Sequence, residues 1–127
     1  MKATELLKNW LSEQGFKSEI DKDGDLAFKY QGANLFCTND ENDLSFFRIL
    51  MPNIYKVEGN RDKVLEAANM VTRDIKVVKA FLVEDRLWLA VEMFLGENQN
   101  IDSFVERCLN ILLAARDRVA KEIFEKK

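Results

Sequence analysis

The stretch Asp21-Lys22-Asp23-Gly24-Asp25 sets three carboxylates around a glycine, residue types that could bind calcium. An EF-hand loop takes ligands from positions 1, 3 and 5, a glycine at 6 and a bidentate glutamate at 12. With Asp21 at position 1, Gly24 falls at position 4 and position 12 is Gly32; with Gly24 at position 6, position 12 is Tyr30. Neither register supplies the closing carboxylate. The flanks also differ from the helices of an EF-hand. Phe16, Ser18 and Ile20 alternate with Lys17, Glu19 and Asp21, and Leu26, Phe28 and Tyr30 alternate with Ala27, Lys29 and Gln31. Alternation on both sides of an Asp-Gly step predicts a β-hairpin whose turn needs no metal.

Little else in the chain carries chemistry. It has no histidine, which removes the commonest general base and a frequent metal ligand. No serine or cysteine sits in a nucleophile motif. Gly15, Gly24, Gly32, Gly59 and Gly96 are isolated and form no phosphate loop. Asp40, Glu41 and Asp43 read as a solvated loop tip. No catalytic, cofactor-binding or metal-binding residue is expected, and no enzyme activity.

Composition narrows the partners. Over 127 residues the chain is 47% hydrophobic and 32% charged, an ordinary balance for one globular domain covering 1–127. A net charge of −3 without a basic block argues against nucleic acid. Met1 to Gln14 lacks the apolar run of a signal peptide, and no stretch approaches the ~20 apolar residues of a membrane span. The expectation is a cytoplasmic protein with no membrane partner. Cys37 and Cys108 are then expected as reduced, buried thiols: Cys37 shares a strand face with Leu35, and Cys108 follows Phe104 by four residues.

Periodicity supplies the elements that must position any site. A helix is predicted over Thr4–Gln14, with Leu6, Leu7, Trp10 and Leu11 as its stripe and Gly15 closing it. After the first hairpin come strands over Ala33–Thr38 and Leu44–Met51, ended by Pro52. A second helix covers Arg61–Arg73, capped by Asn60 or Asp62, with Val64, Leu65, Ala67, Ala68 and Val71 facing the core. A second hairpin runs Ile75–Val83 and Arg86–Leu95. The last helix covers Asp102–Glu125, with Ser103 and Glu106 at capping-box spacing and Arg116, Arg118, Lys121 and Lys126 near its negative end. The result is an α+β fold, an antiparallel sheet with helices packed on one face, in the order α-β-β-β(-β)-α-β-β-α.

One surface stands out. With a two-residue turn at Glu84-Asp85, Leu82 pairs with Leu87, Ala80 with Leu89 and Val78 with Val91, an apolar face for the helices. The opposite face carries Phe81 beside Trp88, Val77 beside Glu92, Lys79 beside Ala90, and Phe94. Aromatic anchors mixed with charges are the composition of a protein interface. Val77, Lys79, Phe81, Trp88, Glu92 and Phe94 are the predicted interface residues.

The segment Ala67 to Phe94, AANMVTRDIKVVKAFLVEDRLWLAVEMF, resembles the YbjN-like family of bacterial proteins, and the element order resembles type III secretion chaperones. The final helix, IDSFVERCLNILLAARDRVAKEI, continues the similarity. The resemblance implies a small cytoplasmic protein, a homodimer, in a family without a catalytic signature. Two readings follow. The first is a non-enzymatic interaction module, chaperone-like or regulatory, with a possible protein partner. The second is a small-ligand-binding protein or cryptic enzyme with a pocket between sheet and helices.

Overall fold

The computed structural model describes residues 2–96 and 100–125. Lys126, one of the predicted C-terminal cations, lies outside the described residues.

The chain forms α1 (Ala3–Glu13), β1 (Ser18–Ile20), β2 (Leu26–Tyr30), β3 (Ala33–Cys37), β4 (Phe46–Lys56), α2 (Arg61–Asp74), β5 (Val78–Val83), β6 (Arg86–Phe94), a 3-10 turn (Ile101–Ser103) and α3 (Val105–Phe124). The strands make one antiparallel sheet in the order β1-β2-β3-β4-β6-β5. The optional extra strand of the first section is therefore present. Consecutive strands pair throughout except at the β4–β6 join, where α2 and β5 intervene in sequence.

Alternation assigns the two faces. Leu26, Phe28, Tyr30, Leu35, Cys37, Phe47, Ile49, Met51, Val78, Leu87, Leu89 and Val91 point to one side and form a single buried cluster with Leu7 and Leu11 of α1, Val64 and Val71 of α2, and Leu109, Leu112 and Val119 of α3. α1 covers the β1–β3 side, α2 lies on β5, and α3 runs over β5 and β6 beside α2. The predicted stripes place these contacts, except that Leu65 of α2 points to solvent. The chain leaves α1 through Gly15 at φ +85, and the Phe16 amide returns to the Leu11 carbonyl at 2.8 Å. This left-handed closure aims Phe16 at Tyr30, with ring centroids 5.6 Å apart.

Three local expectations are corrected. Pro52 does not end β4, which continues to Lys56 across a register shift between Met51 and Tyr55. Proline has no ladder donor to lose at such an irregularity. Asn53, at φ +53, makes the bend. The β5 strand begins at Val78 rather than Ile75, because Val77 turns left-handed at φ +71. The helix caps also differ. Asn60 stands at the start of α2 but makes no capping bond; its Oδ1 accepts from the Glu58 amide and its Nδ2 donates to the Tyr55 hydroxyl. Ser103 and Glu106 do not form a capping box. Instead the Asn100 side chain accepts from the Asp102 amide and starts the 3-10 turn, which swings into α3 at Phe104.

The DKDGD segment folds as a turn held by its own carboxylates. Asp21 Oδ1 accepts from the Asp23 and Asp25 amides at 2.9 and 3.0 Å, and Asp25 Oδ1 accepts from the Asn39 amide at 2.8 Å. Gly24 sits at φ +86, where a Cβ would stand 2.7 Å from Asn39 Nδ2. Two of the three aspartates thus fasten backbone.

Candidate interaction surface

The helices occupy one face of the sheet. On the other, no helix lies among the described residues. That open face is ordered in rows running across the strands. The longest row joins all six: Glu19 pairs with Ala27, Ala27 with Phe36, Phe36 with Leu50, Leu50 with Ala90, and Ala90 with Lys79. Its ends are charged and its centre is apolar. Leu50 is 9% exposed and Ala90 is wholly buried, yet neither belongs to the helix-side core. Larger neighbours on the open face shield them.

Those neighbours are the predicted aromatics and charges. Phe81 pairs with Trp88 across β5–β6, ring centroids 6.4 Å apart. Lys79 Nζ stands 5.3 Å from the centroid of Phe81 and 2.7 Å from Glu92 Oε1. Glu92 Oε2 also receives Arg48 at 3.6 Å, from the paired position on β4. Arg48 Nε donates to Thr38 Oγ1 at 3.2 Å, and its guanidinium lies 5.6 Å from the centroid of the Phe46 ring. Phe46 meets Phe94 at 5.9 Å, the next row outward. A partly exposed carboxylate clamped by two cations fixes side-chain positions and adds little stability.

Five of the six predicted residues, Lys79, Phe81, Trp88, Glu92 and Phe94, therefore share this face, in the predicted register from Leu82–Leu87 to Val78–Val91. Val77 departs from the prediction. It precedes the strand, makes no ladder pair with Glu92, and is 51% exposed. Sequence reasoning missed Phe36, Phe46, Arg48 and Leu50. The signal was Arg48 inside the apolar run FFRILM: one cation marks the outward face and carries Phe46 and Leu50 with it.

A groove of about 650 Å³ opens on the same face between the β1–β2 edge and the bend in β4. Ala27 and Phe36 lie in it, Lys17, Lys29 and Asn34 border it, and Pro52 and Asn53 form the far wall. Asn53 Oδ1 accepts from Trp88 Nε1 at 3.1 Å, so the groove runs into the Phe81–Trp88 pair. A second depression of about 540 Å³ lies along the outer side of α3, with Ile75, Glu106, Arg107 and Asn110 among its lining. Neither opens between the sheet and the helices.

The titrating groups are structural. Asp74, at the end of α2, is held at about 2, chiefly by its hydrogen bond from Arg73 and also by Arg118 of α3. Arg118 bonds Glu122 as well, tying α2 to α3. Burial pushes the Cys37 thiol up to about 12, with the Asp25 charge adding to the effect, and the Cys108 thiol up to about 11. Both are free and buried, as predicted. Among the described residues, no cluster of three His, Cys, Asp or Glu side chains is arranged to hold a metal ion, and no helix is long and apolar enough to cross a membrane.

The open antiparallel face thus combines aromatic side chains, fixed charges and a groove. The sequence matches the family model for the T3SS (YopN, CesT) and YbjN peptide-binding chaperone 1, TY-Chap1, over residues 2–126. The chain belongs to this family. No curated protein matches it. The fold is similar to that in the crystal structure of an uncharacterized protein from Methanothermobacter thermautotrophicus, at 15% identity and a TM-score of 0.64, covering 92% of this chain and 93% of that one.

Proposed function

We propose that this chain is a non-enzymatic, chaperone-like or regulatory interaction module that works as a small cytoplasmic dimer and takes a partner's polypeptide on the open face of its sheet. The observation that carries this reading is the juxtaposition of Phe81, Trp88, Phe46 and Phe94 with the Lys79–Glu92–Arg48 cluster, on a face no helix covers among the described residues. Interfaces concentrate binding energy in such aromatic anchors and use fixed charges for register and choice of partner. The two ends of the face suit different tasks. The end with Trp88 and the groove is concave and receives the peptide. The end with Phe46 and Phe94 is an exposed aromatic step and meets a second copy.

The two tryptophans provide a test, because they lie on opposite sides of the sheet. Trp10 is buried on the inward side of α1, and Trp88 is on the open face. Short random peptides selected by display against the full chain are titrated into isotope-labelled protein while the two indole N–H signals are followed. Movement of the Trp88 signal, with Trp10 undisturbed, is the expected result. Peptides that move Trp10 and α3 but leave Trp88 unchanged would overturn the open-face reading.

A further inference from the structure

The groove differs from the rest of the open face in how its cations are paired. Lys79 and Arg48 share the Glu92 carboxylate, with one positive charge in surplus. At the β1–β2 edge the surplus is the same, but no ion pair is made among the described residues. Ser18 pairs with Phe28, so one residue further along Lys17 and Lys29 stand at adjacent positions, and both border the groove. Both are exposed, and among the described residues neither has a carboxylate within ion-pair distance. Glu19, also at the groove, leaves this edge with one uncompensated positive charge. Like charges side by side on neighbouring strands repel. In a chain of net charge −3, with 22 acidic residues, such a pair beside a groove calls for an anion from outside.

From these lysines the groove passes Asn34 to Asn53, whose bond to Trp88 leads on to Phe81. A row of six strands has five intervals, which at about 4.8 Å each measure about 24 Å. That matches about seven residues of extended chain at about 3.3 Å per residue. A small carboxylate would use only the lysine end. An occupant that uses the whole row is a polypeptide.

Resting on the open-face reading, we infer that the groove takes an extended acidic segment of a partner polypeptide laid across the strands, with an Asp or Glu carboxylate between Lys17 and Lys29 and an apolar or aromatic side chain, up to about seven residues away, against Phe81 and Trp88. Asn34, and the Asn53 amide beyond its bond to Trp88, suit the backbone between them.

Display selection with short random peptides tests this, using the wild-type chain and the K17E/K29E variant as baits. Wild type should enrich Asp or Glu at a fixed distance from an aromatic or aliphatic residue, and the variant should enrich Lys or Arg there. A wild-type-selected peptide should bind K17E/K29E at least about tenfold more weakly at low salt, one charge pair's worth of about 1.4 kcal/mol, and the gap should close as salt rises. Lys17→Gln with Lys29→Gln should give an intermediate loss, and unshifted indole signals in the free variants check their fold. The inference is overturned if no peptide is selected, if both baits select the same peptides, or if citrate competes as well as the peptide does. Peptides without acidic preference that still move the Trp88 signal would overturn the inference alone. Peptides that leave Trp88 unmoved would overturn it together with the open-face reading.

Discussion

Trp88 Nε1 donates to Asn53 Oδ1 at 3.1 Å, and that bond joins the aromatic pair of β5–β6 to the bend in β4. The two residues are 35 apart in sequence. Asn53 can serve because asparagine tolerates the left-handed region it occupies at φ +53.

Two substitutions separate its roles. Asn53→Gly keeps the backbone conformation and removes the acceptor, so it should cost about 1 kcal/mol. Asn53→Ala removes the acceptor and adds the left-handed strain of a Cβ, a further ~1–2 kcal/mol. Denaturant unfolding should therefore order the proteins wild type, Gly, Ala. The reverse order of Gly and Ala would contradict the assigned bend.

The DKDGD turn should be sensitive to shape and indifferent to calcium. Gly24→Val forces a β-branched residue to φ +86 and sets its Cβ 2.7 Å from Asn39 Nδ2, a half-buried side chain that also donates to Glu41. The strain dominates, and a loss of about 1–3 kcal/mol is expected. Asp21→Ala leaves the Asp23 and Asp25 amides without their acceptor and should cost about 1 kcal/mol. Melting temperature followed during a calcium titration should not move. Saturable stabilisation at micromolar calcium, lost when Asp21 and Asp25 are both changed to Asn, would refute the structural assignment.

Val77 carries backbone strain on an exposed apolar side chain, at φ +71. A β-branched residue there is an outlier. Val77→Gly should relieve ~1–2 kcal/mol of strain against a glycine entropy cost of about 0.5–1 kcal/mol, leaving the fold equally or slightly more stable. If Val77, one of the predicted interface residues, takes part in the proposed dimer contact, the same variant should self-associate more weakly. A variant that is less stable with unchanged self-association would remove Val77 from the interface.

The thiols make a prediction in pH. Unfolded cysteines titrate near 9, whereas folded Cys37 and Cys108 are raised to about 12 and about 11. Between these values the unfolded chain has lost thiol protons that the folded chain keeps. Stability contributed by the thiols is whole below pH 9 and is lost as pH rises toward 11–12. Each should cost up to about 1.4 kcal/mol per pH unit in that window. Comparing wild type with Cys37→Ala and Cys108→Ala at pH 8 and pH 10 cancels the contribution of other groups. Wild type should lose more on the rise. Rapid modification of either thiol in the folded protein at pH 8 would contradict the burial.

Much of this architecture was legible in the sequence because burial has a period. Leu82, Ala80 and Val78 alternate with Val83, Phe81 and Lys79, so a single assumed turn at Glu84-Asp85 set the whole β5–β6 register. Legibility failed where backbone geometry overrode pattern. Pro52 reads as a stop unless the bend at Asn53 is known, and Ile75 to Val77 read as strand because β-branched residues favour one. Half of the open face was hidden for another reason. Phe46, Arg48 and Leu50 reach Phe94, Glu92 and Ala90 only through the β4–β6 pairing, which spans a helix and a strand and leaves no local signature. The groove needed still more, since Lys17, Lys29 and Asn53 come from three separate segments.

The Phe94 end of the face supports the last prediction. Phe94 is 72% exposed while its ring meets Phe46 at 5.9 Å, so a large apolar side chain is held in place on an uncovered surface. Under two-fold symmetry one substitution appears twice in an isologous interface. Burying a phenylalanine contributes about 1.5–3 kcal/mol, so Phe94→Ser should weaken the proposed dimer by about 3–6 kcal/mol, at least a hundredfold. Sedimentation should show the wild type as a dimer at micromolar concentration and Phe94→Ser as a monomer. Trp88→Ala with Phe81→Ala should leave the dimer intact and abolish peptide binding, because those rings lie at the groove end. A wild type that is monomeric at high micromolar concentration would remove the dimer. A dimer lost in the Trp88 and Phe81 variant but kept in Phe94→Ser would reverse the two ends of the face.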